Sequence, residues 1–419
     1  MPILRLALQS LYNRRATALL TVIAIALSVS LLLGVEKLRR DARSAFANTL
    51  SGTDLIVGAR SGAIPLLLYS VFRIGNATNN ITWESYQEIA SHPKVRWTVP
   101  LSLGDSHRGF RVLGTSRGYF EHYRYAGERQ LKLAEGVVFD DVFDTVLGAV
   151  VAEQLGYRTG DEIVIAHGTG SADLVEHDDK PFRVTGILEP TGTPVDRTLH
   201  VSLAGIEAMH VDWFAGAPIR GRETPVSEVR EMDLQPAAIT AFLVGLESRI
   251  AVFKLQRRIN DYRREPLLAI VPGVALQELW DLMGVAENAL RAVSIMVVVT
   301  GLLGMLTVIL SSLESRRREM AVLRSVGARP LHVLGLFMCE AGLLASLGVA
   351  LGVVLLSAVV LIAQPMITAA FGIYLNVESL KTLDLALLAA VVAAAFVVGC
   401  VPAFKAYRQS LADGLSMRI

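Results

Sequence analysis

The chain has 419 residues, 52% hydrophobic and 19% charged, with a formal net charge of +1 and a mean hydropathy of +0.46. Soluble domains carry about a quarter charged residues, so this balance points to the bilayer, and the near-zero charge lacks the basic footprint of a nucleic-acid-binding domain. Its two cysteines, Cys339 and Cys400, both lie in apolar runs, which leaves the long polar region without a disulfide framework.

The first apolar run, Ala16 to Val35, has no charged residue and is long enough to cross a hydrocarbon core of about 30 Å. It is longer than a signal-peptide core, and Lys37, Arg39 and Arg40 follow where a small-residue cleavage site would fall, so it reads as an uncleaved anchor. A polar insert over residues 37–287 follows and has the pattern of a folded domain. Ile163 to Ile165 and Phe182 to Leu188 are β-type runs, and Trp83 to Ala90, Leu203 to Met209 and Ala237 to Tyr262 carry helical patterns. Strands and helices without strict βαβ alternation predict an α+β domain.

Three segments of the insert invite a functional reading. Ser61 to Phe72 is apolar but too short and broken to span, which leaves a membrane- or cargo-contacting surface and a core segment both open. Thr191 to Asp196 is a Gly/Pro loop that reads as a tight turn. His167 and His177 flank an acidic run that includes Asp178. These three are candidates for a divalent metal, but the spacing fits no fixed metal template, so a solvated loop is the competing reading and no ligand set is assigned.

Three further apolar runs follow: Ala292 to Leu313, Leu331 to Ala363 and Leu383 to Pro402. The expected fold is a membrane protein with four transmembrane α-helices and a large α+β extracytoplasmic domain inserted between helices 1 and 2. The boundaries are 1–36 for the N-terminal segment and helix 1, 37–287 for the insert, 288–313 for helix 2, 314–330 for a cytoplasmic helix, 331–363 for helix 3, 364–382 for a short outer loop, 383–403 for helix 4, and 404–419 for a cytoplasmic tail. The third run exceeds a perpendicular span, which predicts tilt, a kink or a protruding end. Within it Glu340 is either an intramembrane functional group or an interfacial residue. Gly348 and Gly352 form a G-x-x-x-G pair suited to close helix contact.

Arg5, Arg14 and Arg15 precede the first span, Arg316, Arg317, Arg318, Arg324 and Arg329 lie between the second and third, and Lys405 and Arg408 follow the fourth. The positive-inside rule puts all of these in the cytoplasm and the insert outside. The Arg-rich segment has Met320, Leu323 and Gly327 at i, i+3 and i+7, with Glu319 and Arg324 off that stripe. It reads either as an amphipathic helix for a partner's groove or as a basic loop that is merely helical. No G-x-x-x-x-G-K-[ST], G-x-S-x-G, H-E-x-x-H or C-x-x-C occurs, so no catalytic or cofactor-binding residue is assigned.

The stretch Arg317-Arg318-Glu319-Met320-Ala321-Val322-Leu323-Arg324-Ser325-Val326-Gly327-Ala328 resembles a signature of the FtsX-like, MacB-type permease family, which includes the LolC/LolE group of type VII ABC transporters. Leu8 to Arg15 is similar to the family's opening. Val150 to Gly156 with Gly160-Asp161, and Phe182 to Leu188, resemble segments of its outer domain. The resemblance implies a bacterial inner-membrane permease that works as a dimer with a second copy or a paralogue. It further implies that Arg317, Arg318, Glu319, Met320, Leu323, Arg324 and Gly327 engage an ATPase, and that the outer domain handles cargo, with a periplasmic adaptor or binding protein as a further partner.

MacB carries its ATPase in the same chain, whereas about fifteen residues precede the first apolar run here. A separate LolD-like or MacB-like ATPase subunit, itself carrying ATP and Mg2+, is therefore the expectation. An FtsX-like signalling subunit controlling a cell-wall hydrolase, or a permease associated with metal uptake, are the alternatives.

Overall fold

A computed structural model describes residues 2–168, 179–214, 217–218, 224–315, 322, 325–371 and 380–408. The chain divides into two compact units. One comprises Met1–Asp41, Gly284–Gln364 and Leu375–Ile419, and the other Ala42–Met283 with Pro365–Tyr374.

The first unit is helical. Among the described residues, four helices are long and apolar enough to cross a membrane, and they lie in Arg15–Thr49, Pro272–Ser315, Pro330–Phe371 and Thr382–Arg408. A separate helix, Pro2–Asn13, precedes them. The second long helix begins at Pro272, well ahead of the apolar run that marks the span at Ala292. Hydropathy locates a span, whereas helix ends follow backbone chemistry, and a proline at the first helical position gives up an N–H that has no intrahelical partner anyway.

Ile25, Val29 and Leu33 of the first long helix meet Leu302, Met305 and Ile309 of the second, Phe337, Ala341 and Leu344 of the third, and Val391 and Ala395 of the fourth in one core. Leu27, Leu31, Met296, Val299, Val354, Ile362 and Val397 stay exposed, as a lipid-facing surface requires. Gly348 and Gly352 lie against the first long helix. A Cβ on Gly348 would come within 2.6 Å of Ile25 Cγ2, and one on Gly352 within 2.8 Å of the Ala26 carbonyl oxygen. Only glycine permits an approach this close.

The second unit is built on a mixed sheet of eleven strands among the described residues. Nine of them run, in spatial order, Leu267–Ile270, Leu55–Ala59, Ala241–Leu246, Val95–His107, Phe110–Thr115, Thr198–Ser202, Asp144–Leu147, Phe182–Leu188 and Leu133–Gly136. The short strand Ala166–His167 pairs with Val95–His107, and Glu162–Ile163 pairs with Phe182–Leu188. The pairs Thr198–Ser202 with Phe110–Thr115 and Phe182–Leu188 with Asp144–Leu147 are parallel, and the other neighbours are antiparallel.

Both faces of the sheet are covered. Ile56, Leu101, Leu113 and Leu243 enter one core, Leu55, Val57, Phe242 and Val244 a second, and Val112, Leu147, Phe182 and Leu199 a third. Double-faced burial explains why Leu55–Ala59, Asp144–Leu147 and Ala241–Leu246 are buried at every position and lack polar alternation.

Two sequence readings change here. Ala237 to Tyr262 is not one helix. It contains the strands Ala238–Ile239 and Ala241–Leu246, a 3-10 turn at Arg249–Ala251, and only then the helix Val252–Asn260. An apolar run buried on both sides shows no period by which to tell a strand from a helix, and Gly245 is needed where the Trp97 ring lies against the backbone. Ser61 to Phe72 holds the helix Ala63–Val71, whose Leu66, Leu67, Tyr69 and Val71 are buried, so the core reading stands over the surface one.

Elsewhere local chemistry sets the ends. Thr82 caps Trp83–Ala90 by accepting from the Ser85 N–H, and Ser202 caps Leu203–His210 by accepting from the Gly205 N–H. The Thr191 to Asp196 loop closes around buried Asp196. Its carboxylate accepts from the Thr191 and Gly192 N–H groups and the Thr191 hydroxyl, while burial pushes its pKa up.

The helix contact yields a test. Gly348→Leu and Gly352→Leu should each destabilise the full chain in detergent by about 1–3 kcal/mol of overpacking, read as a lower melting temperature. Gly304→Leu, where a Cβ meets nothing within 4 Å, should leave the melt unchanged. Identical melts for all three variants would show that the first and third long helices do not depend on this approach.

Candidate functional site

Two polar constellations stand out, one in each unit. In the helical unit, the turn that follows the apolar run of the first long helix carries Glu36, Arg39 and Arg40. Residues three or four apart share a helix face, whereas the next residue along points about 100° away. Glu36 accepts from Arg39 Nη2 at 2.6 Å and from Arg291 Nη2 of the second long helix at 3.1 Å. Arg39 Nη1 lies 3.7 Å from Glu287 Oε2.

Arg40 instead donates to both oxygens of Asp384 on the fourth long helix, at 2.7 and 2.9 Å. Asp384 also accepts from the Lys381 N–H at 3.0 Å, in the manner of an acidic residue in a helix's first turn reaching back to the N-cap. One turn thus ties the first helix to the second on one side and to the fourth on the other. Both acids are buried, and the arginines keep part of their surface. Beside Glu36 and Arg291, Leu32, Val298, Leu387 and Val391 line an apolar cavity of about 570 Å³.

In the sheet-based unit, backbone pairing builds a second cluster. The strand Ala166–His167 runs antiparallel to Val95–His107 with His167 directly opposite Asp105. The helix Leu203–His210 delivers His210 at its last position. His167 Nδ1 lies 3.1 Å from Asp105 Oδ1 and 3.2 Å from His210 Nε2, and His210 Nε2 lies 3.7 Å from Asp105 Oδ1. His210 Nδ1 donates to the Ile206 carbonyl at 2.8 Å. The Trp213 ring packs against both imidazoles, with centroids 5.1 and 5.6 Å away.

Asp105 is buried and both histidines are half-buried. The hydrogen bond to the Asp105 carboxylate raises the His167 pKa. By contrast, His200 is a core residue whose pKa burial lowers to about 3.

His167, singled out from its position beside an acidic run, therefore meets Asp105 and His210. His177 and Asp178 lie outside the described residues. Nothing in the linear pattern joins Asp105 to His210, and only the strand register and the helix end bring them together. Arg317, Arg318, Glu319, Met320, Leu323 and Arg324 also lie outside the described residues. Gly327 has φ +98° with open space around it, a conformation that glycine takes without strain. Glu340 is buried within the helical unit, one turn from Phe337 and beside Ala341.

Most of the sheet-based domain and most of the C-terminal helical region fall within matches to known families. Residues 18–261, more than half of the chain, match the MacB-like periplasmic core domain, and residues 291–411 match the FtsX-like permease C-terminal region. The chain belongs to the family of FtsX-like ABC transporter permeases that carry a MacB-like periplasmic core domain. Four apolar helices flanking a domain of periplasmic type fit an inner-membrane protein with an extracytoplasmic domain.

The chain is 27% identical over 271 residues to the macrolide export ATP-binding/permease protein MacB of Nitrobacter winogradskyi, covering 65% of this chain and 38% of that protein. It is 22% identical over 364 residues to the MacB of Shewanella oneidensis, covering 84% and 51% respectively. With the pyoverdine export ATP-binding/permease protein PvdT of Pseudomonas savastanoi pv. phaseolicola it shares 22% over 291 residues, covering 66% and 40%. The chain spans about half or less of the length of these relatives. The crystal structure of the periplasmic region of MacB from Actinobacillus actinomycetemcomitans overlaps 55% of this chain and 94% of its own, at 11% identity and a TM-score of 0.34.

The Arg40–Asp384 pair makes its own prediction. Arg40→Ala should destabilise the full chain by about 2 kcal/mol, below the roughly 3–5 kcal/mol of a fully buried pair, because the arginine side chain keeps 23% of its exposure. Arg40→Ala/Asp384→Ala should lose less than the sum of the two single variants when melts are compared. Strict additivity would mean that the two side chains are near each other without energetic coupling.

Proposed function

We propose that this chain is the permease subunit of a MacB/LolCDE-type transporter. An ATPase outside these 419 residues, which we take to be a separate subunit carrying ATP and Mg2+, drives it at the cytoplasmic face. The chain pairs with a second copy or a paralogue, and its sheet-based domain handles cargo on the outer side of the inner membrane.

The observation that carries this reading is the arrangement of the two family matches on one chain. The MacB-like match takes in the first apolar helix and most of the sheet-based domain, and an FtsX-like region holds the other three helices. The helices that flank the domain in sequence support a mechanical role. Arg15–Thr49 and Pro272–Ser315 are unbroken over 35 and 44 residues, well beyond the roughly 20 that a span needs. An unbroken helix moves as a rod, so displacement at one end reaches the other.

The stripe of Met320 and Leu323 is the proposed grip for the ATPase, with Glu319 and Arg324 setting register. Exposed charges contribute only about 0–1 kcal/mol each, so the apolar residues should dominate affinity. Met320→Asp/Leu323→Asp should insert normally and keep the outer domain folded, yet lose the ATPase that wild type retains on purification from its own membranes. Wild-type levels of ATPase on the double variant would reduce the segment to a basic loop.

Orientation is tested in a Cys339→Ser/Cys400→Ser background. A cysteine introduced at Ser171 should react with an impermeant thiol reagent from the outside, and one at Ser315 only after the membrane is opened. Labelling of both from the same side would refute the topology.

A further inference from the structure

We propose that Asp105, His167 and His210 form a binding site for one divalent transition-metal ion of the zinc class, with Asp105 Oδ1, His167 Nδ1 and His210 Nε2 as its ligand atoms. Three features carry the assignment.

The first is distance. A tetrahedral ion with bonds of about 2.0–2.1 Å places its ligand atoms about 3.3–3.4 Å apart. The three separations here are 3.1, 3.2 and 3.7 Å, so the atoms already occupy the corners of one tetrahedral face. An ion can enter with side-chain adjustments of a few tenths of an ångström.

The second is the direction of the lone pairs. A backbone carbonyl only accepts, so the Ile206 carbonyl requires the proton of neutral His210 to sit on Nδ1. Nε2 then presents its lone pair toward Asp105 and His167. A histidine ligand whose other nitrogen is held by a carbonyl or carboxylate is the usual supporting arrangement of a metal site, because it fixes both ring orientation and tautomer. Trp213 packs against both rings, tilted to His167 and edge-on to His210, and restricts their rotation further.

The third is the donor set and its setting. Two imidazoles and one carboxylate suit zinc and its neighbours, whereas calcium and magnesium prefer all-oxygen shells. The carboxylate is buried while the imidazoles keep 45% and 24% of their side-chain exposure, so an ion has an open approach to a fixed negative charge. Three protein ligands leave one position for water or an exchangeable ligand, unlike the four-ligand shell of a purely structural zinc site. The ligands come from a long strand, a short strand and a helix end, and a bound ion would cross-link all three.

The test uses the full chain in detergent, stripped with EDTA and titrated with Zn2+ against a chromophoric chelator. Wild type should bind one ion tightly. Co2+ should give the visible bands of a tetrahedral complex without a sulfur charge-transfer band, because the two cysteines lie in the long helices. His167→Ala, His210→Ala and Asp105→Asn should each weaken Zn2+ binding by more than about a hundredfold, beyond the about 10–100-fold loss seen when only a supporting hydrogen bond is removed.

His92→Ala, which alters a partly exposed histidine outside the cluster, should bind as wild type does. Asp105→Asn retains shape and a hydrogen-bond acceptor, so it remains informative if a histidine variant fails to fold. Absence of tight binding in wild type, or affinity unchanged in Asp105→Asn and in the folded histidine variants, would overturn the proposal and leave a hydrogen-bonded triad.

Discussion

Side chains such as Ile25 and Leu344 gain little by leaving lipid for each other, since a hydrocarbon tail is as apolar as leucine. The helical unit therefore depends on how deeply its helices approach and on the polar contacts that they share. Gly348 and Gly352 let the third long helix settle on Ile25, Ala26 and Val29, so dispersion contacts accumulate along a seam that a larger residue would prop open. Beyond the apolar stretch, the Glu36–Arg39–Arg291 and Arg40–Asp384 contacts add direction, because a bidentate guanidinium–carboxylate pair tolerates little rotation. Close packing sets the depth of contact, and the charges set its angle.

The sheet-based unit obeys water instead. Its central strands are buried on both faces, and there the transfer of apolar area is the main stabilising contribution, at about 25 cal/mol per Å². Polar groups that remain inside are matched locally. Asp196 gathers the N–H groups of its own loop, and Thr240 accepts from Leu103 N while lying within reach of the Leu103 carbonyl. Asp105 differs in having imidazole partners from distant segments.

What could be read in advance follows from how far each signal reaches. Bilayer thickness imposes a continuous apolar run, so the four long apolar helices were legible in the hydropathy of the sequence. The helical patterns of Trp83–Ala90 and of the helix at Leu203 are local signals, and the structure holds a helix at each. Ala241–Leu246 was misread because a strand enclosed on both sides loses its alternation. The Asp105–His167–His210 cluster was invisible for a different reason. His167 was noticed, but its partners are supplied by strand register and a helix terminus, and neither leaves a trace in residue spacing. A segment's neighbours in sequence say little about which side chains a sheet will set opposite one another.

Glu36, Arg39 and Arg40 show how one stretch of chain can serve two requirements. They follow the apolar run directly, where charge ends the preference for lipid, yet the helix continues to Thr49. A flexible linker at this point would let the helix ends move independently and dissipate any displacement. Arg291 on the second long helix and buried Asp384 on the fourth hold the turn in place, so rotation of the first long helix must be shared by the second and fourth or else break charge pairs. Stiffness at this turn therefore comes from charge pairing between helices, and the apolar packing alone would leave the helices freer to rotate against one another.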